Sequence, residues 1–240
     1  MGLYEIAVIF LAAFIYGVAG FAFALLAVPL LSFAWPLKHI VPLVALLATS
    51  LNGLMLFKLR KSFAFKRVMP LLLGGLPGVL VGAYFLRHYD NAFLRVILGL
   101  VLVLYGLWGL KNPKRPFIIG DNWGYLFGFL AGFLGGALNT PGPPVIIYLT
   151  LKDWGKDEIK STLQGFFFLL AIFVIFSHWR MGLITPEILK NYLIAFPVIL
   201  IGLFSGHRLY GRLSLKVYQK ILYGLLVIMG LLSFPWKIGG

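Results

Sequence analysis

Uncharged apolar runs recur along the whole chain, and their length limits the fold more than any other feature. Six of these runs cover roughly residues 40–57, 68–86, 92–110, 161–177, 188–206 and 218–234. A helix that crosses the hydrocarbon core of a bilayer needs about 17–25 residues of this kind. Only 12% of the 240 residues are charged, while 61% are hydrophobic, and a soluble domain has about 25% charged residues. The sequence therefore predicts an all-α polytopic membrane protein.

Two further apolar segments, 3–34 and 123–151, are too long for one span and contain glycine and proline near their centres. In the second segment, seven of the thirteen residues from Gly132 to Pro144 are glycine or proline. Non-helical backbone at membrane depth occurs only inside protein or beside a water-filled cavity. We therefore expect both breaks to lie inside the protein, at a functional site.

The two halves of the chain resemble each other. Three residue shifts, in the same order along the chain, place small or special residues on one another. The matches are Gly17 on Gly132 and Gly20 on Gly135 for a shift of 115, Pro77 on Pro197 for a shift of 120, and Gly99 on Gly224 for a shift of 125. This pattern predicts two repeats, residues 1–115 and 116–240, which together form one membrane domain.

The Lys and Arg residues of the loops distinguish two topologies. If both broken segments crossed the membrane, giving eight spans, the two sides would hold ten and eleven of these charges. If each broken segment is a re-entrant hairpin with arms of about 12–15 residues, about 18–22 Å of helix, the sides hold six and fifteen. The positive-inside rule favours hairpins, with both termini outside. One hairpin plus three spans per half makes the repeats inverted. Eight full spans remain the alternative.

The breaks suit an anion. Broken helix ends leave N–H groups without helical partners, and a helix N-terminus carries a partial positive charge. Two facing breaks would surround an oxyanion with amide donors. The predicted substrate-binding residues are Gly20, Phe21, Ala22, Phe23, Asn52, Gly135, Gly136, Asn139, Thr140, Pro141, Gly142 and Gln164. The alternative for the glycines is helix packing, and for Thr49, Ser50, Ser161 and Thr162 it is bonding to their own helix.

Several classes of function are excluded by what the sequence lacks. It has no cysteine, and its four histidines form no pair at helical spacing, so neither a metal nor another cofactor is predicted. All seven carboxylates lie in loops or at segment ends, which argues against a buried proton relay and against an enzyme with an acid–base pair. The net charge of +14 comes mostly from loops, with no basic patch of the kind that binds nucleic acid.

The two broken segments resemble the glycine-rich motifs of a known family. GVAGFAFALLAVPLL begins at Gly17 and GFLGGALNTPGPPVI begins at Gly132. Both are similar to motifs of the TauE/SafE family, the sulfite and organosulfonate exporters, also called the 4-toluene sulfonate uptake permease family. The motif positions are Gly17, Gly20 and Pro29 in the first copy, and Gly132, Gly135, Gly136, Pro141 and Pro144 in the second. The first copy departs from the Gly-Gly pattern, because Phe21 stands opposite Gly136 in this alignment.

The resemblance implies a secondary transporter of the cytoplasmic (inner) membrane. Its substrates would be small sulfur-containing anions such as sulfite, thiosulfate or organosulfonates, bound near the midplane and released by alternating access. The alternatives are an anion channel-like pore, a transporter of other small organic anions such as carboxylates, and a membrane-embedded assembly factor. The sequence leaves open the direction of transport, a coupling ion (proton or sodium) and a homodimer. Apart from the anion, the predicted partner is the lipid bilayer.

Overall fold

The computed structural model describes residues 1–59, 63–111, 118–209 and 215–234. These ranges form ten α-helices and contain no β-strand, which confirms the all-α prediction. The helices are α1 (Leu3–Ala19), α2 (Phe23–Leu31), α3 (Leu37–Leu59), α4 (Phe65–His88), α5 (Asn91–Lys111), α6 (Trp123–Leu138), α7 (Gly142–Thr150), α8 (Lys156–Arg180), α9 (Pro186–Leu209) and α10 (Leu215–Ser233).

The predicted apolar runs correspond to α3, α4, α5, α8, α9 and α10. Five of these helices are long and apolar enough to cross a membrane, each with 21 to 24 qualifying residues. α10 has 19 residues, of which Lys220–Ser233 forms a shorter apolar helix within the part searched. The protein is therefore a multi-pass membrane protein.

The first broken segment folds back on itself. The Tyr4 hydroxyl, near the start of α1, donates a hydrogen bond of 2.7 Å to the carbonyl of Leu30, near the end of α2. An unbroken helix would separate these residues by about 39 Å. α1 and α2 are thus the arms of a hairpin, and we call residues 20–22 the first elbow.

The second broken segment folds back in the same way. The backbone N–H of Ile119, just before α6, donates to the carbonyl of Leu151, just after α7, at 3.2 Å. The Lys152 ammonium also bonds the Ile119 carbonyl at 2.9 Å and the Asp121 carboxylate at 2.6 Å. α6 and α7 therefore form a second hairpin, and we call residues 139–141 the second elbow.

The hairpin arms differ in length from the prediction. The first arms have 17 and 16 residues and the second arms have 9 each, so equal arms of 12–15 residues are wrong. The reason is that the glycine-rich stretches stay helical, because their glycines lie at helix contacts. A Cβ added to Gly17 would overlap the Leu203 carbonyl in α9, and one added to Gly136 would overlap the Val79 carbonyl in α4. Small residues at such positions let membrane helices approach closely.

Packing partners follow the division into halves. α1 packs on α9 and α6 packs on α4, while α5 packs on α10 and α3 on α8. If α1 to α5 are matched in order with α6 to α10, the α1–α9 pair corresponds to the α6–α4 pair. The α5–α10 and α3–α8 pairs each correspond to themselves. The division of the chain into two repeats at residue 115 and the inverted orientation of the halves in the membrane both stay predictions.

The elbows shift the alignment of the halves by one helical turn. α1 ends at Gly20 and α6 ends at Asn139, both in the left-handed region, so these residues correspond at an offset of 119 rather than 115. The sequence alignment of the two halves is displaced by four residues because α6 carries glycine at every fourth position from 124 to 136. Residues four apart share one helix face, so the glycines match equally well at either offset. In the structure, Phe21 therefore stands opposite Thr140 and not Gly136.

Candidate functional site

A cavity of about 50 Å³ lies between the two elbows, with walls from α1, α2, α3 and α8. It has space for a few water molecules or one small anion. Its lining residues are Tyr16, Phe21, Ala22, Phe23, Ala24, Leu25, Ala48, Asn52, Asn139, Thr140, Pro141, Gly142, Phe167, Leu170, Ala171 and Val174. The two hairpins thus meet at a cavity whose lining is mostly apolar, with Tyr16, Asn52, Asn139 and Thr140 as its polar side chains.

The first elbow contributes backbone donors. Gly20 and Ala22 both have φ of +79°, and this double left-handed turn starts α2 at Phe23. The amides of the first turn of a helix have no intrahelical acceptor. The N–H groups of Phe23, Ala24 and Leu25 accordingly have no acceptor within the described chain, and all three residues line the cavity.

The second elbow contributes side-chain donors. Asn139 has φ of +52°, and its N–H and that of Thr140 bond back to carbonyls of α6 at 2.9 and 3.1 Å. Proline occupies positions 141, 143 and 144, so Gly142 alone retains a backbone donor between 141 and 144.

Asn139 and Thr140 are 5% and 1% exposed, and the Nδ2 and Oγ1 atoms of their side chains have no hydrogen-bond partner among the residues that the structure describes. Buried polar atoms in native proteins are nearly always bonded to protein or ordered water. Two such donors side by side at a cavity indicate a place for water or a ligand.

A hydrogen-bond network links the cavity to the first elbow. The Tyr16 hydroxyl lies 2.8 Å from Asn52 Oδ1 and 3.2 Å from Gln164 Oε1. The Gln164 side-chain amide donates to the carbonyl of Gly20. Because a hydroxyl has one hydrogen, Tyr16 serves one of the two amide oxygens at a time.

The structure brings most of the predicted site residues together. Eight of the twelve line the cavity. The remaining four are Gly20, Gly135, Gly136 and Gln164. The Gln164 side-chain amide donates a hydrogen bond to the carbonyl of Gly20 in the first elbow. Gly135 faces Leu170, and Gly136 packs against α4 and accepts a hydrogen bond of 2.7 Å from His178 Nε2.

Sequence reasoning missed eight lining residues, which are Tyr16, Ala24, Leu25, Ala48, Phe167, Leu170, Ala171 and Val174. Helical periodicity would have found several of them. Ala48 lies one turn before Asn52 in α3, and the four residues from α8 continue the face that contains Gln164.

Of the other polar residues that the sequence singles out in the spans, Thr49, Ser50 and Ser161 bond to their own helices, whereas the buried Thr162 Oγ1 has no hydrogen-bond partner among the described residues. Thr49 and Ser50 donate to carbonyls four residues earlier at 2.7 and 3.2 Å, and Ser161 donates to the carbonyl of Glu158 at 3.1 Å. Within the described ranges, no group of three His, Asp or Glu side chains could hold a metal ion.

Comparison with curated proteins and with solved structures gave no match. The family model described as "Sulfite exporter TauE/SafE" matches residues 5–233, nearly the whole chain. That family consists of transporters and not enzymes. The match includes both hairpins, both elbows and the cavity between them. The chain therefore belongs to the TauE/SafE sulfite exporter family.

Proposed function

We propose that the protein is a secondary transporter that moves small sulfur-containing anions across the cytoplasmic membrane by alternating access. The class of anion comprises sulfite, thiosulfate and organosulfonates such as sulfoacetate. The observation that carries the proposal is the pair of buried donors without partners, Asn139 Nδ2 and Thr140 Oγ1, at a cavity between two opposed hairpin elbows.

The donors at this cavity suit an oxyanion without a neighbouring lysine. The three unpaired amides at the start of α2 and the partial positive charge of that helix end favour negative charge. The second elbow adds the Asn139 amide and the Thr140 hydroxyl from the opposite direction. Sulfite and sulfonate oxygens are acceptors, so each donor finds a partner when the anion is bound.

Alternating access is supported by how the hairpins are mounted. The first arm of each hairpin packs, through glycines in backbone contact, on a helix of the other half. Each pair, α1 with α9 and α4 with α6, can therefore move as a unit. A groove of about 610 Å³ between α3, α8 and α9 leaves room for the α1–α9 pair to rock. Its wall includes Leu46, Phe168 and Phe204.

The proposed orientation, with both termini outside, follows from the loop charges. A channel-like pore is the rival, and flux measurements separate the two. We expect sulfite flux into proteoliposomes to saturate with concentration, because each cycle of a transporter handles a limited number of ions. Flux that rises without limit would favour a pore.

The test of the site uses two substitutions at the second elbow. Asn139→Gly removes the amide donor while keeping a residue that tolerates positive φ, and Thr140→Val removes the hydroxyl at nearly constant shape. A hydrogen bond to a charged group contributes about 1.5–3 kcal/mol. We therefore expect each variant to weaken sulfite binding about 10- to 100-fold in calorimetry of the purified protein.

The matched control is Thr49→Val, whose hydroxyl bonds the Ala45 carbonyl at 2.7 Å and does not line the cavity. It should bind sulfite like the unmodified protein. Wild-type affinity in both Asn139→Gly and Thr140→Val would rule out this site.

A further inference from the structure

The cavity carries no formal charge. Among the described residues that line it, none is Asp, Glu, Lys, Arg or His, and Tyr16 is the one titratable side chain. The free energy of transferring an ion out of water into such surroundings rises with the square of its charge, and for a full unit charge it is already large. Neutral donors can offset the transfer of one negative charge far better than that of two.

The nearest titratable groups lie outside the cavity. The Lys160 side chain approaches the first elbow, with its Cε 3.7 Å from the position of a Cβ on Gly20. His178 bonds the Gly136 carbonyl at 2.7 Å, on the side where α6 packs. Neither residue belongs to the cavity wall.

Two amide oxygens at the cavity share the hydrogen of one hydroxyl. Asn52 Oδ1 and Gln164 Oε1 both face the single Tyr16 hydrogen, at 2.8 and 3.2 Å. Whenever that hydrogen turns to Gln164, the Asn52 oxygen at the cavity wall is left without a donor. An oxyanion that carries its own O–H can donate to this oxygen, whereas a fully ionised one offers acceptors only.

From these features we infer that the site selects the singly charged, protonated form of its oxyanion, hydrogen sulfite, over the sulfite dianion. This narrows the proposed class of anions to monoanions and leaves out thiosulfate and sulfoacetate, which carry two charges near neutral pH. The inference rests on the proposed function. The ligand's oxygens accept from the α2 amides, Asn139 and Thr140, and its hydroxyl donates to Asn52. A proton then crosses the membrane with each anion without any titrating residue in the protein.

Binding of sulfite to the purified, unmodified protein as a function of pH tests this inference. The sulfite dianion takes up its first proton near neutrality, and calorimetry in degassed buffer avoids the oxidation of sulfite to sulfate. The apparent Kd for total sulfite should rise at least about tenfold between about pH 6 and about pH 8.5, because the monoanion becomes scarce. Sulfate keeps two charges throughout this range and should not compete, even in large excess.

The imidazole nearest the second elbow is the protein group to test as another source of such a pH dependence. His178→Gln removes this imidazole while keeping a side-chain amide that can donate to the Gly136 carbonyl. The pH dependence should persist in this variant.

Three results overturn the inference: a Kd that is the same at both pH values, a pH dependence that vanishes in His178→Gln, or sulfate that competes as well as sulfite. If sulfite binds at neither pH, the proposed function itself fails and the inference falls with it. The two failures are therefore distinguishable.

Discussion

The two elbows face one cavity but bring different chemistry to it. The first elbow leads into α2, whose first-turn amides lack acceptors, while its side chains are apolar and aromatic. The second elbow leads into α7, whose first turn is rich in proline and lacks most of those amides. Its donors are instead the side chains of Asn139 and Thr140.

When the two hairpins are aligned at the offset of 119 residues, their donors differ at corresponding positions. Ala24 and Leu25 of the first hairpin correspond to Pro143 and Pro144 of the second, and Phe21 corresponds to Thr140. Each elbow thus lacks the donors that the other supplies. The comparison teaches that a duplicated hairpin can keep its geometry while its two copies share out the binding chemistry.

Both hairpins pack their first arm on another helix through glycines, α1 on α9 and α6 on α4. Substitution of these glycines should have the largest effect of the variants considered. Gly17→Ala and Gly136→Ala each place a methyl group on the backbone of a packed helix. Because backbone cannot move aside as a side chain can, we expect each to lower the free energy of unfolding by about 3 kcal/mol, measured by thermal or denaturant unfolding in detergent. The control is Gly224→Ala, whose added Cβ would contact nothing within 4 Å. If only one of the two variants is destabilised, the hairpins do not dock alike.

Much of the site could be predicted from sequence, because the signals are local, whereas helix packing is only the alternative role that the sequence analysis gives the docking glycines. Apolar runs fix the spans, and the clustering of glycine, proline, Asn139 and Thr140 marks the second break. The alignment of the halves could not be fixed, since glycines at every fourth position match equally well after a shift of one turn. Tyr16 and the α8 wall were missed because an apolar helix face looks the same whether it meets a cavity, a neighbour or lipid.

The difference in backbone donors between the two hairpins can be tested by adding a proline to the first hairpin or removing one from the second. Ala24→Pro removes one backbone donor from the first elbow, at a position in the first helical turn where proline is tolerated. The loss of a hydrogen bond to an anion should raise the Kd for sulfite about tenfold, as measured by calorimetry.

The reciprocal variant, Pro143→Ala, adds an amide to the second elbow at the corresponding position. It should leave sulfite affinity equal or greater, because no donor is lost. If Ala24→Pro folds and binds like the unmodified protein, the first elbow contributes no backbone donor, and the division of chemistry between the elbows is wrong.

The smallest predicted effect concerns strain in the two turns. Ala22 has φ of +79° and Asn139 has φ of +52°, and asparagine tolerates this region far better than alanine. Ala22→Gly should raise the free energy of unfolding by about 0.5–1 kcal/mol, the relief of strain less the entropy of glycine, whereas Asn139→Gly should change it little. Thermal unfolding of the two variants side by side measures the difference, and equal shifts would mean that the first turn is unstrained. Because Asn139→Gly also tests binding, a near-zero stability change makes any loss of sulfite affinity in that variant a loss of the amide donor itself.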